Sequence, residues 1–455
     1  MTLDLNEILN CVGGNLIVEG RKKSLNGISI DTRKISNEEI FLAVSGENSD
    51  GNKYVIDAIK KNVKLCIIDK SFFSCEELQK FDVSVILVEN TLHALGKLAI
   101  LVRNKLDINI IGVTGSVGKT TTKDLIFDFL SCGYKVYKNS GNLNNHLGMP
   151  ISLINISDDA EVGIFELGMS NLGEIDHLSN ILRPNIAVIT NIGVNHIEFL
   201  KTKENILKAK SEIVNYFNEE DILILNNEDD ELKNCKFGNK FKIFRVGIEG
   251  ECDFRANEIK INLDSVEFEC TYLNSIEKVS IKVVGKHNIL NSLIALKICE
   301  ILKVPMNLMR KKFNDLCISS MRQEIFKHNN MILINDCYNA SPSSMKSGID
   351  VLSLYDGEKV CIFGDMLELG ENSGVYHKEV AEYSNGKINK LIAIGKFKNF
   401  YFDGFEDKDN CFCFENFEDF EFNIKKILKG NENILIKASR SSKFERVINI
   451  IMDKF

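Results

Sequence analysis

The sequence predicts an α/β protein built as three domains. Three observations carry the prediction. The chain has 455 residues, against ~150 for an ordinary domain. Apolar runs of strand length alternate with stretches of helical period over most of it, the pattern of α/β layers around largely parallel sheets. One stretch, 252–284, breaks that pattern and switches to period two.

The first domain, 1–106, reads as a small α/β unit. Strands are expected at 28–30, 40–44, 65–68 and 83–88, and helices at 53–61 and 91–105. The longer helix hands the chain to the second domain, 107–316. There, apolar runs predict strands at 108–113, 162–166, 186–190 and 222–225, with a helix at 203–217. In 252–284 apolar residues alternate at Ile259, Ile261 and Leu263, at Val266 and Phe268, and at Val279, Ile281 and Val283. That alternation predicts an antiparallel extension of a mostly parallel sheet domain. A helix at 287–302 stops short of Pro305, which cannot continue it. The third domain, 317–455, returns to alternation, with strands at 331–335, 360–363, 391–394 and 434–437. Helices at 343–354, 377–383, 417–428 and 443–452 lie between them. This reads as a doubly wound, Rossmann-like unit.

Composition excludes several classes. Hydrophobic residues make up 44% and charged residues 26%, too apolar for a disordered chain. No uncharged apolar run approaches the ~18 residues of a membrane span, and the opening MTLDLNEILN has no signal-peptide pattern. A net charge of −8 makes nucleic acid a poor partner. The 13 cysteines form no C-x-x-C pair. Cys411 and Cys413 stand closest, so reduced thiols of a cytoplasmic protein are expected rather than a zinc or disulfide framework.

The sharpest local signal is INIIGVTGSVGKTTTKDLIFDFL. An apolar strand runs through Thr114, Gly115, Ser116, Val117 and Gly118 into a helix opened by Lys119, Thr120 and Thr121. Strand, glycine turn and helix N-terminus form a phosphate cradle. Val113 replaces the first glycine of the strict Walker spacing, but G-x-x-G-K-T remains. Lys119 is suited to neutralise phosphate oxygens and Thr120 to ligate Mg²⁺. Glu166 ends a strand, where ligands of open α/β sheets gather, and offers Mg²⁺ a second oxygen. His196 follows the next strand. Lys208 and Lys210 lie on an amphipathic helix and read, from pattern alone, as solvated.

Other polar clusters fall at strand ends: Asn142, Asn144, Asn145 and His146; His287, Asn288 and Asn291; Asp336, Tyr338 and Asn339; Asp365 and Glu368. Each alone is ordinary turn chemistry. Together they predict a cleft between two α/β domains.

Taken in order, IDTR with FLAVSGENSDG, TGSVGKTTTK, NLNNHLGMP, FELGMS, TNIGVNH, KAKSEI, GKHNILN, MRQE, DCYNASPSSM, GDMLELGE and IKASRSS resemble the Mur ligase family over essentially the whole chain. YNASPSSM with GDMLELG resembles the member that adds D-alanyl-D-alanine. The DNPR segment of the relative that adds diaminopimelate or lysine is absent. The resemblance implies a cytoplasmic, monomeric enzyme that uses ATP to join D-alanyl-D-alanine to a UDP-N-acetylmuramoyl-tripeptide through an acyl phosphate. It implies a first domain for the UDP-sugar, a second for ATP and a third that closes and binds the dipeptide.

By the same resemblance Lys119 contacts the ATP phosphates, Thr120 and Glu166 serve one Mg²⁺, and His196 a second. Lys210 matches a carbamylated lysine, which is a carboxylate in effect. Asn288, Asn291, Arg322 and Asp336 match nucleotide contacts, while Asp31, Thr32, Arg33 and Gly46 match the UDP-sugar region. Asn144, Asn145, Tyr338, Asn339 and Ser341 match phosphate-, peptide- or dipeptide-facing positions. Ser341 stands where asparagine is frequent and Ala438 where glycine is frequent, small changes that bear on the dipeptide loop. Two further readings stay open on the sequence: another amide ligase, tripeptide-forming or folylpolyglutamate synthetase-like, and an ATP-binding interaction protein without chemistry. Lys119, Glu166, His196 and Lys210 together argue against the last.

Overall fold

The computed structural model describes residues 2–37, 39–46, 49–238, 240–316 and 319–455. Cys317, the expected start of the third domain, lies outside the described residues, as do two residues of FLAVSGENSDG, Glu47 and Asn48. Among the described residues no helix is long and apolar enough to cross a membrane, and the 12 cysteines present are all free.

Three main sheets follow one another along the chain. The first has five strands. Ile28–Ser29, Ile40–Leu42, Leu65–Ile68 and Ser84–Leu87 pair in parallel, and Asn15–Val18 adds antiparallel to the last of them. Helix Thr91–Lys105 then crosses to the second unit. Its Leu95, Leu98 and Ala99 are fully buried, in one core with Met149, Leu153 and Leu178 of central-unit helices Gly148–Ile154 and Glu174–Leu182. Removing a leucine side chain from water contributes ~2 kcal/mol, so this helix joins the first two units as a shared core. Asn155 fixes the junction further, accepting from the Ile28 backbone N–H at 2.7 Å and donating to its carbonyl at 2.8 Å.

The central sheet has seven strands, all parallel. Asn109–Thr114 sits between Val162–Glu166 on one side and Ile186–Ile189 on the other. The chain leaves it toward one neighbour and later returns to the other. Its carboxyl end is therefore a switch point, the ordinary ligand position of an open α/β sheet. Both faces of the sheet are covered, which explains why its strands are continuous apolar runs. Within the stretch expected to be antiparallel, Phe254–Arg255 instead extends the parallel sheet. Asn257–Ile261, Val266–Tyr272 and Ser275–Ile281 form the separate antiparallel sheet.

The third sheet has six strands, parallel except for the edge hairpin Glu324–His328 with Met331–Asn335. Helices Pro342–Ser353, Ser373–Ser384 and Lys398–Gly404 cover one face, and Phe417–Ile427 with Glu445–Lys454 the other. The doubly wound expectation thus holds.

Candidate active site

The carboxyl ends of the central and third sheets face one cavity of about 1440 Å³. Its core is the turn between strand Asn109–Thr114 and helix Lys119–Leu130. Gly115 has φ +146°, and a Cβ there would stand 1.9 Å from Thr190 Oγ1. Gly118 caps the helix at φ +85°. Only glycine takes such backbone without strain, so both glycines belong to the turn geometry. Lys119 Nζ folds back on the loop, donating to the Gly115 carbonyl at 2.8 Å. Burial lowers its pKa, with Arg322 opposing and Glu166 favouring the charge.

The segment after strand Ile186–Ile189 braces this loop. Asn191 accepts from Val117 N–H at 2.9 Å and donates to the Val117 carbonyl at 2.8 Å. The Thr190 hydroxyl donates to the same carbonyl at 2.6 Å, and Ser116 Oγ accepts from Gly193 N–H at 2.8 Å. From the helix Lys286–Ile301, Asn291 accepts from the Thr122 hydroxyl at 3.1 Å and donates to Asn288 at 3.0 Å. Asn291 is therefore buried against the phosphate-loop helix, with Asn288 bonded behind it, and both line the cavity.

Thr120 and Glu166 are brought together: the threonine hydroxyl donates to Glu166 Oε2 at 2.7 Å. Asn144 donates to Glu166 Oε1 at 2.9 Å, and Lys123 Nζ stands 3.9 Å from the carboxylate. Two hard oxygen donors beside a phosphate cradle suit Mg²⁺. Asn145, which also lines the cavity, accepts from the Leu147 and Gly148 N–H groups at 3.2 and 2.8 Å at the start of helix Gly148–Ile154.

Lys210 overturns the solvated reading of its helix. Lys208 is exposed, whereas Lys210 is 2% exposed and its amine makes no hydrogen bond or ion pair among the described residues. Burial, reinforced by the nearby Lys119 cation, drives its pKa well below the usual lysine range. His196 takes left-handed backbone, φ 62°, and so does Glu368, φ 63°, on the third domain. The two meet with His196 Nδ1 2.5 Å from Glu368 Oε2. Hydrogen bonding and charge from His196 hold the Glu368 carboxyl below its ordinary pKa.

Arg322 lies where the chain passes from the central to the third unit. It donates from Nη2 to Thr120 Oγ1 at 2.8 Å, and its guanidinium stacks 4.0 Å from the Tyr338 ring centre. Asp336 pairs with Lys437 at 2.6 Å, and Lys437 also donates to the Asn339 carbonyl at 3.0 Å. Ser341 opens helix Pro342–Ser353, its N–H donating to Ser344 Oγ at 3.0 Å. Tyr338, Asn339 and Ser341 all line the cavity.

The first-domain residues are elsewhere. Arg33 donates twice to its own neighbour Asp31, at 2.9 Å each, which pulls the Asp31 pKa down to about 2. Gly46 N–H donates to the Ser49 carbonyl at 2.8 Å. Neither these residues nor Thr32 line the cavity. Sequence reasoning also missed three supports: Asn191; Lys123, which donates to the Asn139 carbonyl at 2.7 Å; and Asp124, which accepts from Ser319 N–H and Oγ–H at 3.1 and 2.6 Å. The run KTTTKD was the available signal, since two charged residues follow the phosphate loop on a helix face that is buried.

The central and third α/β units meet at the phosphate loop and the first packs on the central one through helix Thr91–Lys105, a three-unit architecture shared with a class of ATP-dependent ligases. Models of the Mur ligase middle domain, the Mur ligase glutamate ligase domain and the Mur ligase family catalytic domain match residues 113–299, 321–440 and 24–103. The chain belongs to the Mur ligase family. A Bacillus subtilis relative named UDP-N-acetylmuramoyl-tripeptide--D-alanyl-D-alanine ligase is 34% identical over 438 residues, covering 94% of this chain and 93% of that protein. Among solved structures, MurF from Acinetobacter baumannii superposes with a TM-score of 0.91 at 25% identity, over 100% of this chain and 99% of that one. MurF ligase from Thermotoga maritima in complex with ADP gives 0.83 at 25% identity, over 94% and 97%.

Proposed function

We propose that this chain is the ligase that adds D-alanyl-D-alanine to UDP-N-acetylmuramoyl-tripeptide, consuming ATP and giving the pentapeptide precursor of peptidoglycan with ADP and phosphate. The observation that carries the reading is the convergence of Lys119, the Thr120–Glu166 pair, Arg322 and the Tyr338–Asn339–Ser341 loop on one cavity. The relatives' shared name supplies the substrates. A carboxylate is a poor electrophile. Transfer of the ATP γ-phosphoryl group to the terminal carboxylate of the tripeptide gives it a leaving group. The dipeptide amine then attacks the acyl carbon, and phosphate departs. Positioning and charge neutralisation carry most of such a reaction.

In this reading the backbone of 114–118, Lys119 and Thr121 hold the phosphates, and Asn288, Asn291, Arg322 and Asp336 hold the rest of the nucleotide. Thr120 and Glu166 hold one Mg²⁺, which when bound neutralises phosphate charge. His196 and Lys210 hold the second. Lys210 suits carbamylation on its own chemistry. Burial that lowers an amine's pKa raises its share of the neutral form, the form that adds to CO₂ with loss of a proton, and the carbamate oxygens replace a nitrogen that Mg²⁺ does not favour. Asn144 orients Glu166, and Asn145 shapes the loop beside it.

Domain 1–106 takes the UDP-sugar, with Asp31, Thr32, Arg33 and Gly46 on its binding side. Domain 107–316 takes ATP, and domain 317–455 brings the dipeptide and closes. One copy supplies every residue named, so a monomer suffices. ATP and a nucleotide-linked substrate suit the cytoplasm.

An acceptor panel tests the substrate reading. With ATP, Mg²⁺ and the UDP-linked tripeptide, D-alanyl-D-alanine is expected to support turnover and single amino acids are not. Equal turnover with glutamate, lysine or diaminopimelate would transfer the chain to another amide ligase.

A further inference from the structure

The geometry points to Arg322 as an internal cation that competes with the metal ion for the Thr120 oxygen and gives that oxygen up when the nucleotide enters. The inference rests on the reading of Thr120 and Glu166 as a metal site and goes beyond it.

The Thr120 hydroxyl has one proton and two lone pairs. Its proton goes to Glu166 Oε2 at 2.7 Å. One of the two lone pairs, either of which could serve a metal ion, accepts from Arg322 Nη2 at 2.8 Å. The Glu166 carboxylate is also engaged, by Thr120, Asn144 and the Lys123 ammonium. The anionic pair expected to bind Mg²⁺ is thus already neutralised from within, and the guanidinium competes for the same oxygen.

Arg322 is at the same time incompletely used. Its Nε–H is buried and has no partner among the described residues. Tyr338 fixes the guanidinium plane from below at 4.0 Å, but nothing accepts from that edge. A buried unmet guanidinium donor is costly, and a phosphate oxygen is the acceptor its geometry suits best. Phosphates in the cradle of Lys119 therefore offer Arg322 a better partner than a neutral hydroxyl. Moving toward them would clear Thr120 for the ion.

The connector gives this exchange a mechanical sense. Ser319, three residues before Arg322, is tied through both its N–H and its hydroxyl to Asp124 on the phosphate-loop helix. Arg322 therefore shifts about a nearby anchor, and the exchange couples metal loading to the first residues of the third domain. Competition of this kind must be reciprocal in binding free energy. The ion binds weakly until nucleotide arrives, and removing Arg322 strengthens the ion alone while weakening the nucleotide.

Mn²⁺ binding to the full chain, read from the free-ion electron paramagnetic resonance signal, tests this. Without nucleotide, Arg322→Gln and Arg322→Ala should bind Mn²⁺ about ten-fold tighter than wild type, the scale of one like charge removed ~5 Å from a divalent ion in high dielectric. Arg322→Lys, which keeps the charge, should stay near wild type. A non-hydrolysable ATP analogue should bind Arg322→Gln about ten-fold more weakly, the opposite sign. Thr120→Val in the Arg322→Gln background should abolish the gain in Mn²⁺ affinity. Circular dichroism identifies any variant that fails to fold, and the remaining variants then decide. Unchanged or weaker Mn²⁺ binding in Arg322→Gln overturns the inference, as does a gain that survives Thr120→Val. If wild type binds Mn²⁺ with the analogue while Arg322→Gln shows no gain, the metal reading stands and the exchange falls. If wild type binds no Mn²⁺ even with the analogue, the metal reading fails and the exchange with it.

Discussion

Lys208 and Lys210 share one short helix and meet opposite environments. Helical periodicity reads both as solvated, because a lysine among polar neighbours normally is. Lys210 is buried by its tertiary surroundings, with the Lys119 cation near enough to act on it, and no local pattern carries that. The family resemblance singled out the residue where residue patterning did not. Lys210→Ala should leave the enzyme largely inactive, with partial recovery in acetate, whose carboxylate can enter the vacated space. Full activity of the variant, measured as phosphate release, would remove Lys210 from the site. Asn191 shows the same gap in legibility from the other direction. Its side-chain amide clamps Val117, yet in the sequence it is one more loop asparagine.

At the scale of elements, legible strands were those buried on both faces and the half-exposed antiparallel ones within 257–281, whose period of two showed. Val162–Glu166, Ile186–Ile189 and Asn433–Lys437 are covered throughout and appear as unbroken apolar runs. Edge strands escaped for the opposite reason. Val136–Lys138 is half-buried along its length, and Glu324–His328 alternates with exposed residues. The phosphate loop was legible because its chemistry demands a fixed spacing of glycine, lysine and threonine. That demand is severe at Gly115, where Thr190 fills the position of a Cβ. Gly115→Ala should force the loop off Thr190 and weaken binding of an ATP analogue by at least ~1.4 kcal/mol, about ten-fold. Calorimetric titration showing wild-type affinity would mean that the loop is not held as described.

For the whole molecule, a net charge of −8 does not prevent the binding of anionic substrates. Lys119, Lys123, Lys210, Arg322 and Lys437 gather at one junction, so the field that a phosphate meets is local. The first two units share a core through helix Thr91–Lys105, whereas the third meets the second mostly by polar contacts at Arg322, Ser319 and the His196–Glu368 pair, with only Val284 and Val194 among the described residues reaching its core. A polar junction is the natural place for a hinge. Small-angle scattering should therefore show compaction when an ATP analogue and the UDP-linked tripeptide are added together, and identical profiles would argue for a rigid molecule. The three-domain α/β fold was legible from length and alternation together, but the closeness of units one and two was not, because it depends on which helix faces meet.

The central claim is that this chain activates a carboxylate by phosphorylating it. Labelling the terminal carboxylate of the UDP-linked tripeptide with ¹⁸O, then analysing the released phosphate by mass spectrometry after one round of ligation, tests it most directly. An acyl phosphate predicts one labelled oxygen in each phosphate released. Unlabelled phosphate accompanying full peptide formation would contradict it.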